Sequence, residues 1–428
     1  MLPERAKELI GQGKYAEKLS RVYGCGAEEA AARGERIVRA IGEFEKLYGA
    51  GREVMVFSAP GRTEIGGNHT DHQGGRVLAA GVNLDAVAVA SPLESSEARV
   101  RSQGFPEDAV GLGDLSVHLG EKNTSAALLR GICAEFVRRG YRIGGFCAYT
   151  TSQVLPGSGL SSSAAFEVLV GTVLSGLFCG GDVPPLMVAQ IGQRAENDYF
   201  GKPCGLMDQA ACAIGGFAMM DFRDADDPKA EKIPFDFAAC GYRLCMIDTK
   251  GNHAALTPDY AAIPAEMRAA AHVFGKEVLS QVDEGEFFAG IAKVRAAAGD
   301  RAVLRAIHYF GDSARVLKEA EALRAGDFGR FRSLVVESGR SSFEYLQNVF
   351  SPAHVQEQGV AVALALCERL LAPRGGAWRV HGGGFAGTVQ AYVPEGFLPE
   401  FKERMEAVFG ENSCLPLSVR PVGGTRIL

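Results

Sequence analysis

Three short blocks of this sequence combine residue types that chemistry needs and packing does not. The first is Leu155-Pro156-Gly157-Ser158-Gly159-Leu160-Ser161-Ser162-Ser163-Ala164-Ala165. Glycine lets a backbone approach a ligand closely. Small residues opening a helix leave N–H groups free, with partial positive charge. Gly157, Ser158, Gly159, Leu160, Ser161 and Ser162 therefore make an anion site, best suited to polyphosphate. The Ser162 and Ser163 hydroxyls can reach a phosphate oxygen or Mg2+. A plain strand-to-helix turn with a serine cap is the alternative for the glycines alone.

Two other phosphate devices can be tested directly. A Walker loop requires Gly-Lys followed by Ser or Thr. The pairs Gly13-Lys14, Gly201-Lys202 and Gly275-Lys276 are followed by Tyr15, Pro203 and Glu277. Gly382, Gly384 and Gly387 match G-x-G-x-x-G, but they precede the alternating, strand-like run TVQAYV rather than a helix. A dinucleotide fingerprint opens a helix, so this match is rejected.

The second block runs from Pro60 to Gly75 and mixes Arg62, Thr63, Glu64, Asn68, His69, Thr70, Asp71, His72 and Gln73 with glycines. With little to bury, it suits a hydroxyl-binding loop. Asp71 can accept from two neighbouring hydroxyls, and Asn68 and His69 add directional bonds. A polar surface turn is the alternative, above all for His72, and the His69–His72 spacing alone leaves a metal site open. The third block is Ala195-Glu196-Asn197 followed by Cys204-Gly205-Leu206-Met207-Asp208-Gln209. A carboxylate between Met207 and Ala210 must be paired, hydrogen-bonded or functional. Phosphoryl transfer needs a metal ligand and a group that orients the attacking hydroxyl, roles open to Glu196 and Asp208. Glu196 alone would read as a helix-surface charge.

The surrounding pattern supplies elements to carry these blocks. Residues 1 to about 50 have helical spacing. VMVFSAPGR from Val54 reads as a short strand ended by Pro60-Gly61, and GVNLDAVAVAS from Gly81 as a half-buried strand. GGFCAYTTSQV is strand-like and leads into the serine block, which opens a helix. Asp182 and Pro184 predict the N-cap and first turn of the next helix, running to near Gly201. Residues 260–345 are helical in period. Two lobes of mixed α/β structure are the expected fold class, and 428 residues exceed the usual single core.

Composition excludes several classes. A net charge of −6 gives no support for a nucleic-acid partner. The most apolar uncharged run, residues 168–181, falls short of the roughly 20 residues that span a membrane. Ten cysteines without a C-x-x-C pair read as reduced thiols, which fits a cytoplasmic protein.

Together with HGGGFAG near the C-terminus, the blocks PGR…HTDH, GLSSSAA and AEN…GLMDQ resemble, in order, the GHMP kinase superfamily and its galactokinase branch. The resemblance spans about Ser58 to Val393. It implies a two-lobed α/β (α+β) fold, with a ribosomal-protein-S5-like lobe over 51–215 and a ferredoxin-like and helical lobe over 216–428. Residues 1–50 would be an added helical extension. It also implies ATP- and Mg2+-dependent phosphorylation of a small-molecule sugar at its anomeric hydroxyl. By resemblance, Asp208 contacts and deprotonates that hydroxyl while Arg62 pairs with Asp208. Ser163, or its neighbour Ser162, and Glu196 hold Mg2+, and backbone amides from Gly157 to Ser162 hold the phosphates. Asn68, His69, Asp71, Gly205 and Tyr260 would contact the sugar, with HGGGFAG closing over it.

The family signature usually reads G-R-V-N-L-I-G-E-H-T-D-Y-N. This chain has Thr63-Glu64-Ile65-Gly66 after the arginine, Asn68 at the usual glutamate, and His72-Gln73 at the usual Tyr-Asn. That glutamate ordinarily meets the sugar's 6-hydroxyl, so Asn68 removes a negative charge there. A sugar with a carboxylate at that carbon would meet less repulsion. Galactose is the expected substrate, with galacturonate or a related sugar as the alternative. A non-catalytic sugar sensor, which loses small residues of the serine loop, is the rival of another class. Here Ser163-Ala164-Ala165 is complete and Asp208 is present.

Overall fold

The computed structural model describes residues 1–154, 159–224, 227–251 and 256–428. The chain divides into two compact units, the first comprising Met1–Arg62, Gly81–Gly216 and Val419–Leu428, the second Thr63–Ala80 and Phe217–Ser418. This differs from the contiguous spans 1–50, 51–215 and 216–428. The helical start joins the first unit, the polar loop after Arg62 joins the second, and the last ten residues return to the first.

In the first unit, helices α1 (Pro3–Gly11), α2 (Ala16–Tyr23) and α3 (Ala27–Tyr48) precede β1 (Met55–Gly66), β2 (Arg76–Pro92), β3 (Glu97–Ser102) and β4 (Glu107–Gly111). Helix α4 (Ser125–Arg138), strand β5 (Phe146–Ser152) and helices α5 (Ser162–Phe178), α6 (Pro185–Arg194) and α7 (Met207–Ile214) follow. The C-terminal strand Thr425–Arg426 edges the sheet, then β1, β2, β5, β3 and β4. Strands β3 and β5 run parallel.

The apolar faces of the first three helices pack on this sheet. Leu19, Ile37, Ile41 and Phe44 share one buried cluster with Val56, Val87, Val89 and Tyr149. The first fifty residues are therefore core. Phe57 points the other way, against Gly176 of α5, where any β-carbon would collide with its ring. Covered on both faces, β2 is buried almost throughout instead of half-buried. At the interface with the N-terminal helices, the buried Asp85 carboxylate accepts from Tyr23 Oη at 2.6 Å, from Ser58, and from Arg36 and Arg420.

Two boundaries differ from the sequence expectation. Strand β1 continues through Pro60-Gly61 to Gly66, because Arg62 N donates to Leu160 O at 3.0 Å and the bare Gly61 lets that carbonyl approach. Helix α6 opens at Pro185 with Pro184 as its N-cap. Asp182 lies outside it, since Val183 N is tied to Ser175 Oγ at 3.3 Å. The helix then widens into a π-helical turn, Ala195–Phe200, and stops at Gly201 with φ 87°.

The second unit holds β6 (Phe217–Asp221), β7 (Lys229–Ile233), β8 (Tyr242–Asp248), α8 (Thr257–His272), α9 (Glu284–Ala289), α10 (Ile291–Ala298) and α11 (Asp300–Arg324). Then come α12 (Phe328–Ser341), α13 (Gly359–Leu371), β9 (Ala377–Val380), β10 (Thr388–Pro394), α14 (Leu398–Phe409) and β11 (Cys414–Leu417). Arg76–Ala80 of β2 pair antiparallel with β6, which pairs with β7. A separate antiparallel sheet has the order β11-β8-β10-β9. Helices α13 and α14 cover it through Val360, Leu364, Phe401 and Met405. Helices α8 to α11 build a second core around Ile263, Met267, Phe287 and Tyr309.

Candidate active site

In the first unit, Arg62 extends from β1 to Asp208 in the opening turn of α7. Nε and Nη2 donate to the two carboxylate oxygens at 2.6 and 2.7 Å. This is the two-pronged geometry that guanidinium and carboxylate favour. Arg62 Nη1 donates to Gly159 O at 2.6 Å, and Ser161 Oγ to Asp208 Oδ2 at 2.6 Å. Ser161 of the serine block is thus tied directly to the acid, and Gly159 to its arginine partner. Ser161 takes φ 59°, an unusual conformation for a residue with a side chain, immediately before α5. Burial alone would raise the Asp208 pKa; the charge and hydrogen bonds of Arg62, with Ser161, instead hold it below the ordinary range. Its side chain remains 29% exposed, so a substrate can reach it.

A second group lies on neighbouring elements of the same unit. Gln209 Nε2 donates at 2.9 Å both to Glu196 Oε2 and to Glu167 Oε2. Lys202 Nζ meets Glu196 Oε1 at 2.9 Å. Glu167 follows Ser163 by one turn of α5. Burial, and next the Glu196 charge, push its carboxyl well above the ordinary range. Glu167 Oε1 and Gln209 Oε1 are buried without a hydrogen-bond partner. The donor set fits Mg2+: a hard cation takes oxygen, commonly one or two carboxylates completed by substrate phosphates. Glu196 and a serine hydroxyl at the start of α5 are such donors. Among the described residues, no group of three or more His, Cys, Asp or Glu is gathered around a metal position. Gly205 is half-buried just before α7, and Cys204 N is held by Asn197 Oδ1 at 2.7 Å. Gly157 and Ser158 lie outside the described residues.

In the second unit the polar loop is pinned by helix α11. Gly67 N and Asn68 N donate to Asp312 Oδ2 at 3.1 and 2.9 Å, and His308 Nε2 meets Asn68 O at 2.9 Å. His69 follows at φ 58°, with Nε2 3.2 Å from Gly383 O. Burial, then His72, push the His69 pKa down to about 4, so the ring is neutral near pH 7. Asp71 opens the short 3-10 turn Asp71–Gln73, 3.8 Å from His72 Nε2. Tyr260 Oη donates to Gly384 O at 3.0 Å and its ring packs on Gly383. That contact explains why HGGGFAG needs a glycine there.

Asn68 departs from the expected hydroxyl contact. It is fully buried, and Nδ2 donates to Glu64 Oε1 at 2.9 Å and Gly382 O at 2.8 Å. Its Oδ1 accepts from Asn348 Nδ2 at 2.8 Å and from Ser342 Oγ at 3.4 Å. Both donors and both lone pairs of the amide are thus used within the protein. Glu64 Oε1 also accepts from the buried Arg379 at 2.9 Å. Asp312, His308, Arg379, Asn348 and Glu167 carry no signal of function in the sequence reading, nor does Lys202 beyond its failed Walker match. The one signal available to find any of them is the i, i+4 pair His308 and Asp312 on helix α11, in line with Arg305, Arg315 and Glu319.

An arginine–aspartate pair beside a serine-rich helix start, and a glycine-rich turn packed on a polar loop, define the class as a GHMP-type small-molecule kinase. Residues 127–216 match the GHMP kinases N terminal domain, and 42–92 the galactokinase galactose-binding signature. A galactokinase of Streptomyces coelicolor is 30% identical, over 88% of this chain and 94% of its own length. One of Actinobacillus pleuropneumoniae serotype 5b is 31% identical, over 86% and 92%. The crystal structure of Lactococcus lactis galactokinase complexed with galactose matches with a TM-score of 0.76 and 25% identity, covering 91% of this chain and 99% of that one. Methanococcus jannaschii mevalonate kinase shares the fold, with a TM-score of 0.60 at 13% identity over 86% and 98%. The chain belongs to the galactokinase family of GHMP kinases.

Proposed function

We propose that this protein phosphorylates galactose at its anomeric hydroxyl, using ATP and Mg2+. The bidentate Arg62–Asp208 pair, tied through Ser161 and Gly159 to the serine block, carries the reading. It brings an ionised acceptor and a cation together at the mouth of a phosphate-type helix start.

Asp208 accepts a hydrogen bond from the attacking hydroxyl and aims its lone pair. Its lowered pKa makes it a weak base in the resting state. Proton acceptance is therefore late, once the hydroxyl oxygen is bonding to phosphorus, as a loose phosphoryl transition state permits. Arg62 then releases part of its charge from Asp208 to the transferring phosphoryl oxygens. Glu196 and Ser163 would hold Mg2+, which would supply neutralisation of phosphate charge. Gln209 and Glu167 keep the Glu196 carboxylate in one orientation. In the second unit, neutral His69 and the Asp71 side chain offer a directional donor or acceptor and a two-oxygen acceptor for sugar hydroxyls.

Asn68 at the family's usual glutamate position favours a second reading, a sugar altered at carbon 6, because no carboxylate stands at that position. ADP release coupled to a reporter, compared across galactose, galacturonate, glucose, N-acetylgalactosamine and arabinose, tests both. Turnover of galactose to a 1-phosphate supports the first, galacturonate alone the second. Absence of turnover on all five would overturn the sugar-kinase reading.

A further inference from the structure

We propose that Lys202 is a second cationic phosphate ligand, resting on Glu196 before nucleotide binds and donating to a terminal phosphate oxygen afterwards. The proposal rests on the kinase reading above.

Charge balance points to it first. Arg62 and Asp208 cancel as an ion pair. Among the described residues, Glu196 is left with one cation in contact, Lys202. Without that lysine the cluster would present net negative charge to a polyanionic nucleotide. A water-poor site that must stabilise developing phosphate charge works against such a balance.

Geometry supplies the second argument. Lys202 N donates to Glu196 O at 3.1 Å, so its backbone is anchored to the π-helical turn. Gly201 at φ 87° precedes it and Pro203 follows, which restricts the Lys202 backbone to extended conformations. The side chain is not held in the same way. It is 58% exposed, while the Glu196 carboxylate it touches is 3% exposed. A long stem with three rotatable donors can give up Glu196 Oε1 to a metal and still turn to a phosphate oxygen. Arg62, by contrast, has Nε, Nη1 and Nη2 all engaged.

The test is calorimetric titration of the full chain with Mg2+ and a non-hydrolysable ATP analogue, for wild type, Lys202→Met and Lys202→Arg, at two ionic strengths. The Met variant should bind about tenfold more weakly, the size of one charge-assisted hydrogen bond. Its affinity should also depend less on salt, and Lys202→Arg should recover most of the loss. Unchanged melting temperatures establish that the exposed substitution leaves the fold intact. Equal or tighter binding by Lys202→Met overturns the proposal, since that is what a lysine merely capping Glu196 would produce. No analogue binding by wild type overturns it as well. No sugar turnover by wild type sinks only the proposed function, because the titration involves no sugar.

Discussion

Asn68 Nδ2 donates to Glu64 Oε1 at 2.9 Å, and the same oxygen takes Arg379 Nη2 at 2.9 Å. In the family signature the amide stands at the position of Glu64 and the acid at that of Asn68. Relative to that signature the acid and the amide have changed places, and here the Asn68 amide donates to the Glu64 carboxylate. The carboxylate now sits on an arginine that is 0% exposed.

Asn68→Glu alone should therefore be destabilising. It places a second carboxylate against Glu64 and removes the donors to Glu64 and Gly382, a loss of about 3 kcal/mol for an unpaired buried charge. The double variant Glu64→Asn/Asn68→Glu should recover part of that loss and alter sugar preference. Denaturant unfolding of the two single variants and the double variant measures the coupling. Additive losses would show that the two residues do not act as a pair.

Asp208→Asn keeps the size of the side chain but loses the charge facing Arg62. Turnover should fall by about 10²-fold or more, the scale of a lost acid–base or electrostatic group. Calorimetric affinity for an ATP analogue should change far less. Steady-state turnover near wild type would mean that another group receives the proton.

Glu319 is fully buried beside Gly66, and neither carboxylate oxygen has a hydrogen-bond partner. Burial, then Asp312, push its pKa well above the ordinary range. Between the unfolded and folded pKa values the native state holds the extra proton, so stability falls as pH rises, by about 1.4 kcal/mol per unit. Glu319→Gln should match wild type near pH 4 and exceed it at pH 8 in denaturant midpoint. Parallel pH profiles for the two proteins would contradict this.

Asp85 titrates with the opposite sign. Burial opposes its charge, but Arg36 and Arg420, with Ser58 and Tyr23, hold its folded pKa below 3.8. Its contribution is present above the unfolded value and lost as pH falls through the lowered one. Asp85→Asn should lower stability at pH 7, by about 3 kcal/mol for a broken buried ion pair, and narrow its gap to wild type in acid. Thermal unfolding from pH 2 to pH 7 reads both effects.

Local pattern made much of the site legible. Small residues after glycine predict a helix start, and α5 begins at Ser162. Asp208, set between apolar neighbours, needed a partner, and Arg62 is that partner. The bonding of Asn68 is not legible in the sequence, because hydrogen-bond saturation is not local. Its amide is used by Gly382, Asn348 and Ser342, all more than 270 positions away along the chain. The end of strand β1 escapes local pattern for the same kind of reason. Pro60-Gly61 is a stop signal by itself, and the carbonyl of Leu160 overrides it.

The sequence by itself determined the class of chemistry, because glycine, serine, arginine and carboxylate at fixed short spacings suit phosphate and little else. It also determined the helical and strand periods, which depend on side chains three or four, or two, positions apart. Only the tertiary structure decided which polar groups remain for a substrate. Asp208 stays part-exposed on Arg62, Lys202 rests on Glu196 with an exposed side chain, and Asn68 is consumed inside the second unit. The physical reason is desolvation: a buried polar group must find its partners wherever the fold brings them, and those partners come from distant parts of the chain.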